Sequence, residues 1–349
     1  MAAASASNVD VIVVGGGPAG SATALWCARR GLSVALLERE PFPRHRPGET
    51  LPPGVEPLFA QLGVAEAVRD AGFPRHPGTW VTWSSPRRFD PFGADDGGPW
   101  LGFQAPRAEL DRLLLEAAAG SGVEVHQPCR VLRPLLDRGS VVGVETAAGP
   151  IAARWVVDAG GGTHWLARRL GLPLRFASPR LIARYGYVRG TCPARDTAPE
   201  IVADDAGWTW SARIAPGLYH WTRLSLTEDD PRRDRPPAEF SGLSPLSRPR
   251  GADVTWRLVA RPAGPGYACV GDAAAVLDPA SAHGVLKALM SGMMAGHLIA
   301  QAASGAASPR AAIRAYAAWV GGWFRADVEE LTRSYRALPR PPAWVRERA

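Results

Sequence analysis

Three glycines, Gly15, Gly17 and Gly20, follow the apolar run Val9 to Val14, and an acidic residue, Glu38, stands 18 positions beyond the last of them. A glycine at the first position lets the chain turn sharply, one at the second lets backbone approach a bulky anion, and one at the third lets a helix pack closely on its strand. Amides at the start of that helix then face the anion, and a carboxylate at Glu38 is placed to accept ribose hydroxyls. The chemistry these residues suit is the gripping of a dinucleotide pyrophosphate. A glycine turn with no nucleotide is the bland alternative, and the ordered set of strand, turn, helix, strand and acid argues against it.

Val9 to Val14 has the short β-branched character of a buried parallel strand. A helix is expected from Ala19 to Arg30, stopped by Gly31, and a second strand over Leu32 to Leu37. The segment PFPRHRPGETLPPG is too rich in Pro and Gly for either element. A helix is expected over Val55 to Leu62, an amphipathic one over Arg107 to Gly120, and short strands at Val123 to Val125, Val141 to Thr146 and Trp155 to Val157. Separated strands at Leu181 to Val188, Gly207 to Ile214 and Tyr219 to Leu226 mark an inserted β-rich region, with Pro231 to Pro249 expected as a mobile loop. Tyr267 to Gly271 and Val285 to Ala303 return to strand and helix, and helices close the chain from Pro309. The fold class is therefore α/β: a Rossmann-like, three-layer domain with a parallel sheet (1–75, 100–174 and 262–305), an inserted mostly-β substrate domain (76–99 and 175–261) and a helical C-terminal segment (306–349).

Composition excludes several functions. The 349 residues carry 40 basic and 33 acidic side chains, a formal charge of +7, and every basic residue except Lys287 is Arg. The arginines are scattered, whereas a nucleic-acid surface needs a clustered patch. No run reaches the roughly 18 apolar residues of a membrane span, and MAAASASNVD lacks the basic and apolar regions of a secretory leader. The four cysteines are far apart, with no C-x-x-C spacing for a metal or a redox dithiol. The expectation is a cytoplasmic protein with neither nucleic-acid nor membrane partner and no metal.

Two later segments specify the dinucleotide. DAGGGTHWLARRLG at Asp158 to Gly171 resembles the D-G segment, and CVGDAAAVLDPASAHG at Cys269 to Gly284 the G-D segment, of the group A FAD-dependent monooxygenases. The resemblance implies FAD. It puts Asp158, Asp272 and Arg107 on the cofactor with Gly15, Gly17, Gly20, Glu38 and Arg39, and runs Pro279 to Gly284 beside the isoalloxazine. From the residues alone, Asp272 also reads as a helix N-cap. RHRPGETLPPG at Arg44 to Gly54 is similar to the G-E-x-L-x-P segment of flavin-dependent halogenases and tryptophylquinone-maturation flavoproteins. GWTWSARI at Gly207 to Ile214 partly matches the halogenase W-x-W-x-I-P signature, with Ala215 where proline belongs; alternate residues on one strand face would give the same Trp208 and Trp210. DPASAHGVLKALMSG resembles the maturation group and makes Lys287 a family-type residue.

The resemblance implies an oxidoreductase in which reduced FAD and O2 act on an electron-rich aromatic ring through a flavin C4a-hydroperoxide. NAD(P)H or a flavin reductase would supply the electrons, since no second glycine fingerprint is present. Glu49 and His283 are the catalytic candidates, and Trp80, Trp83, Trp208 and Trp210 the candidate walls of the substrate pocket. The substrate is expected to be a small aromatic molecule, a carrier-bound aromatic or a tryptophan of a partner polypeptide. Halogenases of this kind use a lysine that would fall near Trp80 to Arg88, where this chain has none, and a guanidinium does not form the same haloamine. Hydroxylation is therefore the expectation. Halogenation and a geranylgeranyl-reductase-like oxidoreduction are its alternatives, and a degenerate flavin fold acting as a peptide chaperone is the non-enzymatic rival.

Overall fold

The computed structural model describes residues 8–347; the first seven residues, where most of the leader reading falls, lie outside them. The first strand, β1 (Asn8–Val14), buries Val9, Val11, Ile12 and Val13, as β-branched residues in a sheet covered on both faces should. It stops at Gly15, whose φ of +109° a side chain adopts only under strain. Helix α1 (Pro18–Ala28) opens with proline in its first turn, where a missing N–H costs nothing. β2 (Val34–Leu37) returns with all four residues buried.

The chain continues through α2 (Arg107–Gly120), β3 (Glu124–His126), β4 (Val131–Asp137), β5 (Ser140–Thr146) and β6 (Gly149–Asp158). Parallel strands lie in the order β3, β2, β1, β6 and Tyr267–Cys269. The first half of β6 carries instead the antiparallel pair β5 and β4. Sequence order reverses between β1 and β6, and the ends of β1, β2, β6 and Tyr267–Cys269 open on one side of the sheet. That is where a doubly wound sheet leaves a crevice for ligand. β4 shows no strand pattern in sequence because it is an edge strand, carrying Pro134 and exposing Leu132 and Leu136.

The three strands expected in the inserted region form, within a residue or two at each end, as β7 (Ile182–Arg189), β9 (Gly207–Ala215) and β10 (Leu218–Ser225), joined by an unexpected β8 (Glu200–Asp204). They line up as β7, β10, β9, β8, followed by Gly78–Thr82 and Arg88–Pro91. Only the β8 pairing with Gly78–Thr82 is parallel. The stretch Pro231 to Pro249 is pinned to this sheet: Phe240 is buried, Glu239 pairs with the buried Arg195 at 2.8 Å, and Ser244–Pro245 bridges to β7.

Two helices complete the frame. α3 (Gly284–Ala303) packs on α1 so closely that a Cβ on Gly292 would lie 2.3 Å from the Ala19 carbonyl oxygen. α4 (Pro309–Arg336) is capped by Ser308, whose hydroxyl accepts the Ala311 N–H. It spans both sheets: Tyr316 Oη donates to the Cys269 carbonyl at 2.7 Å, and near its other end Tyr335 Oη accepts from Trp208 Nε1 at 2.8 Å and donates to Asp278 Oδ2 at 3.0 Å.

Candidate active site

At the crevice, Gly17 precedes α1 with no side-chain cap, so the first amides of the helix are left for a ligand. Gly20 does not face the cavity; a Cβ there would lie 1.9 Å from the Gly15 carbonyl oxygen, so its role is the tight strand-to-helix packing. Glu38 is buried, accepting the Gly16 N–H at 2.7 Å and the Glu40 N–H at 2.9 Å. Arg44 lies 3.6 Å from both Glu38 and Asp111, and its Nε is buried without a hydrogen-bond partner among the described residues. Arg107 grips Asp111 with two bonds of 2.8 and 3.1 Å and donates to the Pro47 carbonyl. Arg39 is exposed beside Glu40. Uncapped helix amides, a buried unpaired guanidinium N–H and close-packed glycines suit the phosphates and ribose of FAD.

From there one cavity of about 1030 Å³ runs past Asp272 and the turn Pro279–Ser281 to the inner face of the second sheet. It is at the top of the size range of small-molecule sites, about 300–1,000 Å³. Gly15, Gly17, Glu38, Arg39, Glu49, Arg107, Asp272, Pro279, His283, Gly284, Trp208 and Trp210 all line it. Asp272 caps nothing. Its carboxyl opens into the cavity without a hydrogen bond from the described residues, and its pKa is raised by the surrounding protein although Arg107 and Arg257 pull the other way. His283 sits at the N-terminus of α3 without capping it, held toward the neutral form first by burial and then by Lys287. Lys287 pairs with Asp327 and lies 5.3 Å from the centre of the Trp323 ring, on the same cavity wall.

Three expected site residues lie elsewhere. Asp158 spends both oxygens on backbone, accepting Gly160 N–H at 2.9 Å and Leu166 N–H at 2.8 Å. It is fully buried, which pushes its pKa up to about 6. It therefore shapes the loop after β6 and presents nothing to a cofactor. Trp80 is held outside the cavity between Phe89 and the Arg87 guanidinium, 3.7 Å from its ring centre. Trp83 donates to the Ser334 carbonyl at 2.6 Å and packs on Tyr335. Trp83 thus serves the join between sheet and α4, and Trp80 packs within its own hairpin.

The inner face of the second sheet adds residues that the sequence reading passes over. Register sets Tyr187 opposite His220 and Ala212 opposite His220, then Tyr185 and Trp210 on either side of Thr222. Glu49 reaches this face: Oε1 accepts Tyr187 Oη at 2.6 Å, while Oε2 accepts the Gly48 N–H at 2.8 Å and lies 3.6 Å from His220 Nδ1. Burial and the Glu49 carboxylate both raise the Tyr187 pKa, so the phenol stays protonated. His220 is pushed toward neutrality by burial, against the pull of Glu49. The alternation in RYGYV and YHWTR is the one sequence signal for this set, and it is shared by any half-buried strand.

Residues 8–213, more than half of the chain, match the family described as FAD binding domain. The chain is 30% identical over 325 residues to a 1H-pyrrole-2-carbonyl-[peptidyl-carrier protein] brominase of Pseudoalteromonas luteoviolacea (strain 2ta16), covering 84% of this chain and 78% of that one. It is 28% identical to flavin-dependent halogenase armH1 of Armillaria mellea over 84% of its own length, and spans 65% of that enzyme. Among solved structures, the flavin-dependent brominase Bmp2 superposes with a TM-score of 0.79 at 28% identity, over 90% of this chain and 84% of Bmp2. The chain thus belongs to the FAD-binding-domain family of flavin-dependent oxidoreductases, in the group A monooxygenase superfamily and beside its halogenases.

Proposed function

We propose that this chain oxidises an electron-rich aromatic ring at FAD and that its product is halogenated. The observation that carries the reading is the single cavity joining the dinucleotide crevice to a wall of Tyr185, Trp208 and Trp210. Similarity to named halogenases over most of the chain favours halide as the atom transferred. When bound, FAD supplies the oxidant from O2 after reduction by NAD(P)H or a partner reductase. The protein binds the ring against the aromatic wall, holds it near the turn Pro279–Ser281 and keeps water away from it. Among the candidate substrates, similarity to the brominase favours an aromatic acyl group on a carrier.

Hydroxylation is the second reading, and one observation favours it. The cavity's only amine is Lys287, engaged with Asp327 on the α3 side. The arginines that line the cavity are no substitute for an amine that captures halogen.

The test is to give FAD-loaded protein a flavin reductase, NADH, O2 and bromide, with indole and a pyrrole-2-carbonyl thioester as probes, and to weigh the products. A brominated product is expected. A product heavier by one oxygen, formed with or without bromide, replaces halogenation by hydroxylation. Flavin turnover with neither product sinks both.

A further inference from the structure

Electrophilic substitution on an aromatic ring leaves a proton to be removed, whichever atom is added. The ring's π pair makes the new bond from carbon to halogen or oxygen; the C–H bond then breaks, its electron pair restores aromaticity, and the proton needs an acceptor. Resting on the aromatic oxidation proposed above, we infer that His220 Nε2 is that acceptor, with Glu49 holding the imidazole in the accepting tautomer.

Glu49 Oε2 lies 3.6 Å from Nδ1, too far for a hydrogen bond but close enough for its charge to favour a proton on Nδ1 over a lone pair there. That leaves Nε2 with its lone pair. Among the described residues its one partner is the Thr222 hydroxyl at 3.2 Å, a rotor that can turn away from the lone pair, and His220 and Thr222 both line the cavity on the aromatic wall. A carboxylate at the distance of Glu49 stabilises the imidazolium that forms when Nε2 takes a proton. Glu49 is fixed for that task by Tyr187 Oη at 2.6 Å and the Gly48 N–H at 2.8 Å.

Every group facing the ring agrees with the role. Tyr185 and Tyr187 pack on it from β7, with ring centres at 6.2 and 5.1 Å, Ala212 flanks it from β9, and Arg107 lies beyond Glu49. None places a cation against Nε2. Burial keeps the ring neutral until a proton arrives, and Glu49 then balances the charge. Of the other bases along the cavity, Asp272 has a carboxyl free among the described residues but stands at Gly271–Ala273, before the turn Pro279–Ser281 and not on the aromatic wall. Asp278 accepts from Trp256, Tyr335 and the Ala280 amide, Asp253 pairs with Arg257, and His283 stands beside Lys287.

The experiment has two arms on FAD-loaded protein. In the first, protein with 13C-labelled histidine is titrated by NMR, the His220 signal being assigned by its loss in His220→Asn. His220 is expected to be neutral at pH 7 and to titrate below 6.5, and Glu49→Gln should move that titration further toward acid. A ring already protonated at pH 7, or one that Glu49→Gln leaves unmoved, overturns the inference without reference to turnover. In the second arm, the aromatic probe that yields product is used with hydrogen and with deuterium at the substituted carbon. His220→Asn should lower kcat by about 10²–10⁴-fold and reveal a primary isotope effect absent from the unaltered protein. A slow variant with no isotope effect overturns the inference, because the lost step would not be C–H cleavage. Should the unaltered protein modify no probe, the aromatic-oxidation reading fails, and the titration still decides whether His220 has the properties of the base.

Discussion

At the scale of single residues, the dinucleotide crevice depends on contacts too close for any substitution to share. A methyl group at position 20 would overlap the Gly15 carbonyl, and one at position 15 would lie 2.5 Å from the Ala159 oxygen as well as needing φ +109°. Gly20→Ala must therefore push α1 off the strand and misaim the amides of its first turn. A loss of at least about tenfold in FAD affinity is expected, read by flavin-fluorescence titration. Glu38→Ala strands two backbone N–H groups, those of Gly16 and Glu40, and removes the proposed ribose acceptor. Charged hydrogen bonds are worth about 1.5–3 kcal/mol, so affinity should fall roughly 10- to 100-fold while the protein still folds; an unchanged dissociation constant would falsify the ribose role. These residues are legible in sequence because the turn's geometry admits so few side chains. Asp158 was not separable in the same way: an acid after a strand reads alike whether it touches a cofactor or, as here, fastens its own loop.

At the scale of elements, what carries the cavity's chemistry is cross-strand register. Each strand of the second sheet is legible alone, because aromatic and β-branched residues alternate along it. Nothing in the sequence says that β7 pairs with β10 in the register that brings Tyr187 to His220, or that the loop holding Glu49 reaches across to both. The same limit hid the purpose of Trp83, whose partner Ser334 lies on a helix near the far end of the chain. The join itself gives a prediction. Tyr335 Oη links the Trp208 indole of β9 to the Asp278 carboxyl before the Pro279 turn, and Asp278 is pushed up to about 6 by burial despite three donors. Tyr335→Phe leaves the Trp208 N–H buried and unpaired, at a cost of about 1–3 kcal/mol. Denaturant unfolding should show that loss while FAD affinity stays close to unaltered. A variant of undiminished stability would mean that the Tyr335 hydroxyl adds nothing to the packing of its ring on Trp83, Trp256 and Trp344.

At the scale of the whole molecule, buried titratable groups set how the fold responds to acid. His76, His164, His220 and His283 all have pKa values pushed below 6.5, in each case first by burial. His164 shows the constraint: Nδ1 meets the Ala273 carbonyl at 3.0 Å and Nε2 accepts Arg257 Nε at 2.8 Å, so a second ring proton would point at a guanidinium. In the unfolded chain these rings titrate near 6.5. As pH falls through that value the unfolded state takes up protons that the native state refuses, and each ring withdraws about 1.4 kcal/mol of stability per pH unit while it remains neutral. Asp158 and Asp278 act in the opposite sense, because their native pKa of about 6 exceeds the ordinary 3.8. Between those values the native state binds the extra protons and gains stability as pH drops. Asp272, its pKa raised by its surroundings, acts with these two carboxyls, and four rings against three carboxyls still leave the native state short of protons as pH falls, a net loss of stability. The denaturation midpoint should therefore decline from pH 6.5 toward 5, measured by urea unfolding across that range with FAD held saturating. His164→Gln should shallow the decline, since one proton fewer is refused by the native state. A midpoint that is flat or rises toward pH 5 would show the three carboxyls outweighing the four rings.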